Sequence, residues 1–149
     1  MKLLNFVLAA LCLLAANAHA EVVGVDNAEL ARLSANGVQV IDIRTEGEWR
    51  STGIVAGSKL LTFFDEAGRS NPPQWLEKVR MIARPDQPVI LICRSGNRSA
   101  FAARFLSDQS GYKTVYNVSK GLNGWIGDRR PIAPVALPVV ACTSGSRRS

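Results

Sequence analysis

Four consecutive apolar residues, Val89-Ile90-Leu91-Ile92, stand between Pro88 and a polar loop. A strand without alternation has both faces buried, the condition of a central strand in a parallel sheet covered by helices on both sides. That requirement constrains the chain more than any other feature. The flanking segments meet it. Residues 22–25 are a short apolar start, and Asp26 reads as a helix N-cap with Glu29 as its capping-box partner. Val25 and Leu30 fit the hydrophobic staple around that cap, and the helix should run to about Asn36 and stop at Gly37. Residues 38–43 are a β-branched run that suits a buried strand.

Thr45 with Glu48 forms a second capping box, opening a short helix through Trp49. Residues 58–63 read as a further strand. Asn71-Pro72 marks a helix start, after which Trp75, Leu76, Val79 and Ile82 recur at helical spacing. Residues 99–110 carry Phe101, Ala102, Phe105 and Leu106 on one expected face, and Gly111 ends that helix. Residues 113–118 are a last strand, and residues 122–128 a short helix. This alternation predicts an α/β sandwich, mainly parallel, with right-handed crossovers.

The two ends fall outside the pattern. Lys2 precedes a nearly unbroken apolar run, and Ala18-His19-Ala20 has the small-x-small form of a signal-peptidase site. Residues 1–20 are therefore expected to be a signal peptide, too short for a bilayer anchor. The mature product is expected to be exported, of periplasmic type, without stable membrane insertion. Pro131, Pro134 and Pro138 break any helix, so 21–130 reads as one domain and 131–149 as a mobile tail.

Cleavage after Ala20 leaves 129 of the 149 residues, and loss of Lys2 lowers the net charge from +6 to +5. It also removes the chain's one histidine, His19, and leaves two cysteines, Cys93 and Cys142. A Ser-His-Asp triad, a Cys-His dyad and a histidine-ligated metal site are then excluded. The basic residues are scattered, with no aromatic-basic stripe, so a nucleic-acid partner is not expected.

Ligands of such sheets bind at the carboxyl ends of strands. There, directly after Ile92, stands Cys93-Arg94-Ser95-Gly96-Asn97-Arg98, followed by a helix. A tight loop into a helix N-terminus aims backbone N–H groups at an anion. Gly96 supplies backbone freedom and Asn97 tolerates unusual angles. Helix dipole, N–H groups and the charges of Arg94 and Arg98 all favour a Cys93 thiolate. Arg98 has a second reading as a structural tie between the loop and the body.

Two stretches resemble the single-domain rhodanese family of sulfurtransferases. One is Val40-Ile41-Asp42-Ile43-Arg44-Thr45-Glu46-Gly47-Glu48-Trp49, similar to the family's Asp-x-Arg and Glu-aromatic segment; the other is the Cys93–Arg98 loop. Gly111-Tyr112 and Gly121-Leu122-Asn123-Gly124-Trp125 are also similar, and the resemblance covers residues 22–128. It implies a three-layer sandwich, with a mainly parallel five-stranded sheet and helices on both faces. It implies that Cys93 accepts a sulfane sulfur from thiosulfate or a similar small donor. The persulfide then passes that sulfur to cyanide, to a small thiol or to a protein acceptor, with no metal and no cofactor. Arg94, Ser95, Gly96, Asn97 and Arg98 would bind substrate. Asp42, Arg44 and Glu48 would support the structure, with Arg44 paired to Glu48 or to Asp42.

Family members often carry a histidine where this chain reads Ser51-Thr52-Gly53-Ile54-Val55-Ala56-Gly57. Two other readings stay open. One is a catalytically silent binding module of the same fold, which Cys93 argues against. The other is a cysteine-dependent phosphatase or arsenate reductase, whose loop resembles Cys-x5-Arg. Here Arg98 stands five positions after Cys93, giving Cys-x4-Arg and a tighter cradle.

Overall fold

The computed structural model describes residues 20–135. The expected signal segment up to His19, and Cys142 with the rest of 136–149, lie outside the described residues. No described helix is long and apolar enough to cross a membrane.

Among the described residues, five strands form one sheet: β1 (Glu21–Val25), β2 (Gln39–Asp42), β3 (Lys59–Leu60), β4 (Val89–Ile92) and β5 (Thr114–Val118). Their spatial order is β1-β5-β4-β2-β3, and every neighbouring pair is parallel. The all-apolar β4 lies in the middle, with each of its residues fully buried. Burial of such side chains stabilises by about 1.5–3 kcal/mol each.

Five α-helices among the described residues cover the sheet: α1 (Asn27–Ala35), α2 (Glu46–Thr52), α3 (Pro72–Ile82), α4 (Asn97–Arg104) and α5 (Gly121–Gly127). Alternation along the strands divides the core into two layers. Ile41, Val89 and Leu91 pack with Trp75 and Val79 of α3 and with Ala102 and Ala103 of α4. Val40, Ile90 and Ile92 pack with Leu30 and Leu33 of α1 and with Leu122 and Trp125 of α5. The expected α/β sandwich with helices on both faces is therefore present, and the sheet proper is wholly parallel.

Helix starts follow the capping chemistry. Asp26 accepts from Glu29 N at 2.8 Å. The Glu29 carboxylate turns instead to Arg32, so only half of that capping box forms. Thr45 and Glu48 form the complete box. Asn71 caps α3, with prolines in its first turn.

Further features differ from expectation. The strand expected over 58–63 is only two residues long, although Leu61 N and Phe63 N still bond to Asp42 O and Ile43 O. Phe101 is 58% exposed, because α4 turns Ser99, Ala102 and Ala103 inward. These small residues let the helix approach the sheet closely, and Phe101 lies outside their stripe, in contact with the rings of Phe63 and Phe64. Packing also continues past residue 130. Ile54 and Ala133 exchange two backbone hydrogen bonds of 2.9 Å, and Trp125 Nε1 donates to Pro131 O at 2.9 Å. Proline forbids a helix there but not an extended strap that satisfies Ile54 and the indole.

Candidate active site

The site grows from the carboxyl end of β4. Cys93 follows Ile92 directly, and its side chain is fully buried. The chain then turns through Gly96, whose φ of +98° is left-handed, and α4 starts at Asn97, two residues earlier than expected. Glycine is required at this turn. A Cβ on Gly96 would also stand 2.2 Å from Ser119 O, in the segment between β5 and α5. No side chain caps α4.

Two donors converge on the sulfur. Gly96 N donates to Cys93 Sγ at 3.1 Å, and Ser99 Oγ lies 3.2 Å from it. Ser99 is fully buried, and Oγ is also 2.6 Å from Asn117 Oδ1 on β5. The loop carbonyls are held from behind. Leu122 N and Asn123 N, at the start of α5, donate to Cys93 O and Arg94 O at 2.8 and 2.9 Å. Gly121 permits this approach, since a Cβ there would lie 2.5 Å from both carbonyl oxygens.

The second wall comes from β2. Its last residue, Asp42, is in register with Ile92, so the segment after β2 leaves the sheet beside the cysteine loop. Of the two partners open to Arg44, the structure selects Asp42. The guanidinium is bidentate on that carboxylate, with bonds of 2.9 and 2.6 Å, and also donates to Thr52 Oγ1 and Gly53 O. Both members of the pair are buried, and together they tie the end of β2 to the end of α2.

Glu48 takes a different partner. While capping α2 it accepts from Arg98 Nη1 and Nη2 at 2.8 and 2.6 Å. The Arg98 guanidinium, aided by Thr45 N–H, holds the Glu48 carboxyl down at about 2. Arg98 thus ties the loop to α2, and its terminal nitrogens are occupied by a carboxylate.

This pair has a testable pH signature. A carboxyl depressed in the folded state stabilises fully above its ordinary value, near 4.5, and loses that contribution as pH falls to about 2. Glu48→Gln is expected to lower stability at neutral pH by about 1–2 kcal/mol, solvent screening reducing the full linkage value. Urea unfolding of wild type and variant should therefore converge across that acidic window. A gap that stays constant from pH 7 to 2 would refute the assignment.

Arg94, Ser95 and Asn97 are exposed on the rim, whereas Gly96 is buried beneath them. Two clefts meet at Arg94. One, of about 400 Å³, is lined by Gly47, Ser51, Leu122 and Asn123; the other, of about 500 Å³, by Thr45, Asp65, Glu66 and Ser95. Among the described residues, the Arg94 guanidinium takes part in no ion pair. The loop therefore brings together one buried sulfur, two donors aimed at it and one unpaired cation on its exposed rim. Sequence reading singled out neither Ser99 nor Asn117 as site residues. No local signal marks Asn117, which reaches the loop only because β5 pairs with β4.

Residues 26–128 match the family model described as Rhodanese-like domain. Thiosulfate sulfurtransferase 18 of Arabidopsis thaliana is 33% identical over 116 residues, covering 75% of this chain and 84% of that protein. Rhodanese-like domain-containing protein 17 of the same plant is 29% identical over 116 residues, covering 75% and 73%. Among solved structures, a rhodanese-related protein from Thermoplasma volcanium superposes with a TM-score of 0.56 at 26% identity, covering 74% of this chain and 97% of that one. The family match runs from the residue that caps α1 to the residue that closes α5, and so takes in the whole cysteine loop and both of its walls. On that ground the chain belongs to the rhodanese-like domain family.

Proposed function

We propose that this protein is a sulfurtransferase that carries a sulfane sulfur as a persulfide on Cys93. The observation that carries this reading is the pair of donors, Gly96 N–H and Ser99 O–H, converging on Sγ at the carboxyl end of the central strand. Donors placed on Sγ face the atom whose charge changes in sulfur transfer, and the thiolate is the nucleophile. In the first half-reaction the Sγ anion attacks the outer sulfur of thiosulfate. An S–S bond forms, the donor's S–S bond breaks, and sulfite leaves with that electron pair. In the second, cyanide or a thiolate attacks the outer sulfur of the persulfide. Sγ departs as the thiolate, giving thiocyanate or a new persulfide. Charge balances in each half, and no oxidant or general base is needed. Sulfite leaves as a dianion, and on this reading Arg94, which borders both clefts beside the loop, is the guanidinium that meets donor and sulfite. Export with release of residues 1–20 belongs to the same proposal and rests on the sequence pattern.

The phosphatase alternative fits the loop less well. A bound phosphoryl group needs a free guanidinium fork and a donor for each oxygen. The loop's Arg98 has its fork on Glu48, and the Cys-x4-Arg cradle is one residue shorter.

Mass spectrometry of the protein after thiosulfate treatment tests the reading. The expected result is a gain of one sulfur on Cys93, lost on adding cyanide. No gain, together with Cys93-dependent hydrolysis of an aryl phosphate, would promote the phosphatase; no gain and no hydrolysis would revive the silent module. Arg94→Ala is expected to lower kcat/KM for thiosulfate about ten- to a hundredfold, the effect of one charge-assisted hydrogen bond, with melting temperature little changed. Equal kcat/KM in wild type and variant at low and high salt would remove Arg94 from the donor path.

A further inference from the structure

The hydroxyl of Ser99 has one proton and three acceptors in reach. Oγ lies 2.6 Å from Asn117 Oδ1, 3.2 Å from Cys93 Sγ and 3.2 Å from Gly96 O. A hydroxyl donates one hydrogen bond at a time. The acceptors are held in place: Asn117 Nδ2 donates to Gly96 O at 3.2 Å, and Gly96 N donates to Sγ at 3.1 Å. Which acceptor wins depends on the charge on the sulfur. Neutral sulfur accepts weakly, so the proton then rests on Asn117 at the shortest distance. Anionic sulfur competes far better, since charge-assisted hydrogen bonds are roughly twice as strong as neutral ones.

Building on the persulfide reading, we propose that Ser99 is a catalytic residue for discharge, its O–H turning from Asn117 Oδ1 to Cys93 Sγ as that sulfur departs, with Asn117 as the positioning residue that holds the hydroxyl ready. In discharge the acceptor's lone pair forms a bond to the outer sulfur, the persulfide S–S bond breaks, and its electron pair leaves on Sγ. Negative charge therefore grows on Sγ in the transition state, where a donor gained at that moment lowers the barrier. Loading runs the other way. Sγ starts anionic and ends neutral, so a donor on it gains nothing as the charge leaves in the transition state. The hydroxyl speeds discharge and leaves loading nearly unchanged. Gly96 N–H lacks this switching, because the backbone fixes its direction.

Single-turnover measurements on the full chain separate the halves. Thiosulfate alone loads Cys93, with the persulfide followed by mass spectrometry; cyanide added to loaded protein discharges it as thiocyanate. Ser99→Ala is expected to slow discharge about tenfold or more and loading by less than about threefold. Asn117→Asp keeps the hydroxyl but offers its proton a charged acceptor, and is expected to slow discharge as well. Slowing of both halves alike by Ser99→Ala, or discharge at the wild-type rate, overturns the proposal. Should Ser99→Ala fail to fold, wild-type discharge by Asn117→Asp overturns it instead. A wild-type protein that never gains the sulfur refutes the sulfurtransferase reading itself, an outcome distinct from these.

Discussion

Cys93→Ser is expected to reduce thiosulfate:cyanide sulfur transfer by on the order of 10³-fold or more while leaving the fold intact. The serine oxygen fits the buried space and can accept from Gly96 N and Ser99 Oγ as the sulfur does, so no buried donor loses its partner. The chemistry has no such substitute. A serine hydroxyl needs a base to become a nucleophile, and the chain's one histidine, His19, precedes the whole sheet. Oxygen at the end of β4 also cannot form the persulfide that the cycle requires. The check is the steady-state assay beside circular dichroism and thermal melting. Activity above a few per cent of wild type in a folded variant would remove Cys93 from the reaction.

Asp42→Ala is expected to cost about 3–5 kcal/mol of stability, because it strands a buried guanidinium without its counter-charge. Arg44 is 1% and Asp42 0% exposed, so the guanidinium has little bulk solvent to replace the carboxylate. Thr52 Oγ1 and Gly53 O would keep their bonds to Arg44, but neither carries charge. The expected loss exceeds that of Glu48→Gln, whose partner Arg98 reaches solvent. Replacing both Asp42 and Arg44 by apolar residues of similar volume should recover much of the loss. Urea unfolding measures each step. A single-variant loss under about 1 kcal/mol would mean that the pair contributes little beyond its shape.

Much of the fold was legible along the chain. The unbroken apolar run of β4 required helices on both faces, and its position in the middle of the sheet meets that requirement. Caps at Asp26, Thr45 and Asn71 and the stop at Gly37 mark helix ends by chemistry confined to one turn. The cysteine loop was legible for the same reason, as strand, nucleophile, glycine and helix lie within a few residues of one another. Phe101 was misread because periodicity defines a stripe but not how far a helix rotates about its axis. Ser99 and the alanines set that rotation by letting α4 sit close to the sheet.

The sequence by itself determined the alternation, the helix caps and the place of Cys93, because each rests on neighbours within a turn or a strand. Only the tertiary structure decided the pairings. Arg44 had carboxylates on either side, and the pair formed is the one with Asp42 at the end of β2, where the chain bends out of the sheet and both side chains are buried. Arg98 meets Glu48 across fifty positions because β4 lies beside β2 and their ends are in register. Asn117 reaches Ser99 because β5 lies on the other side of β4. Strand order is a property of the assembled sheet, set by which apolar faces bury together, and no short-range signal in the chain encodes it.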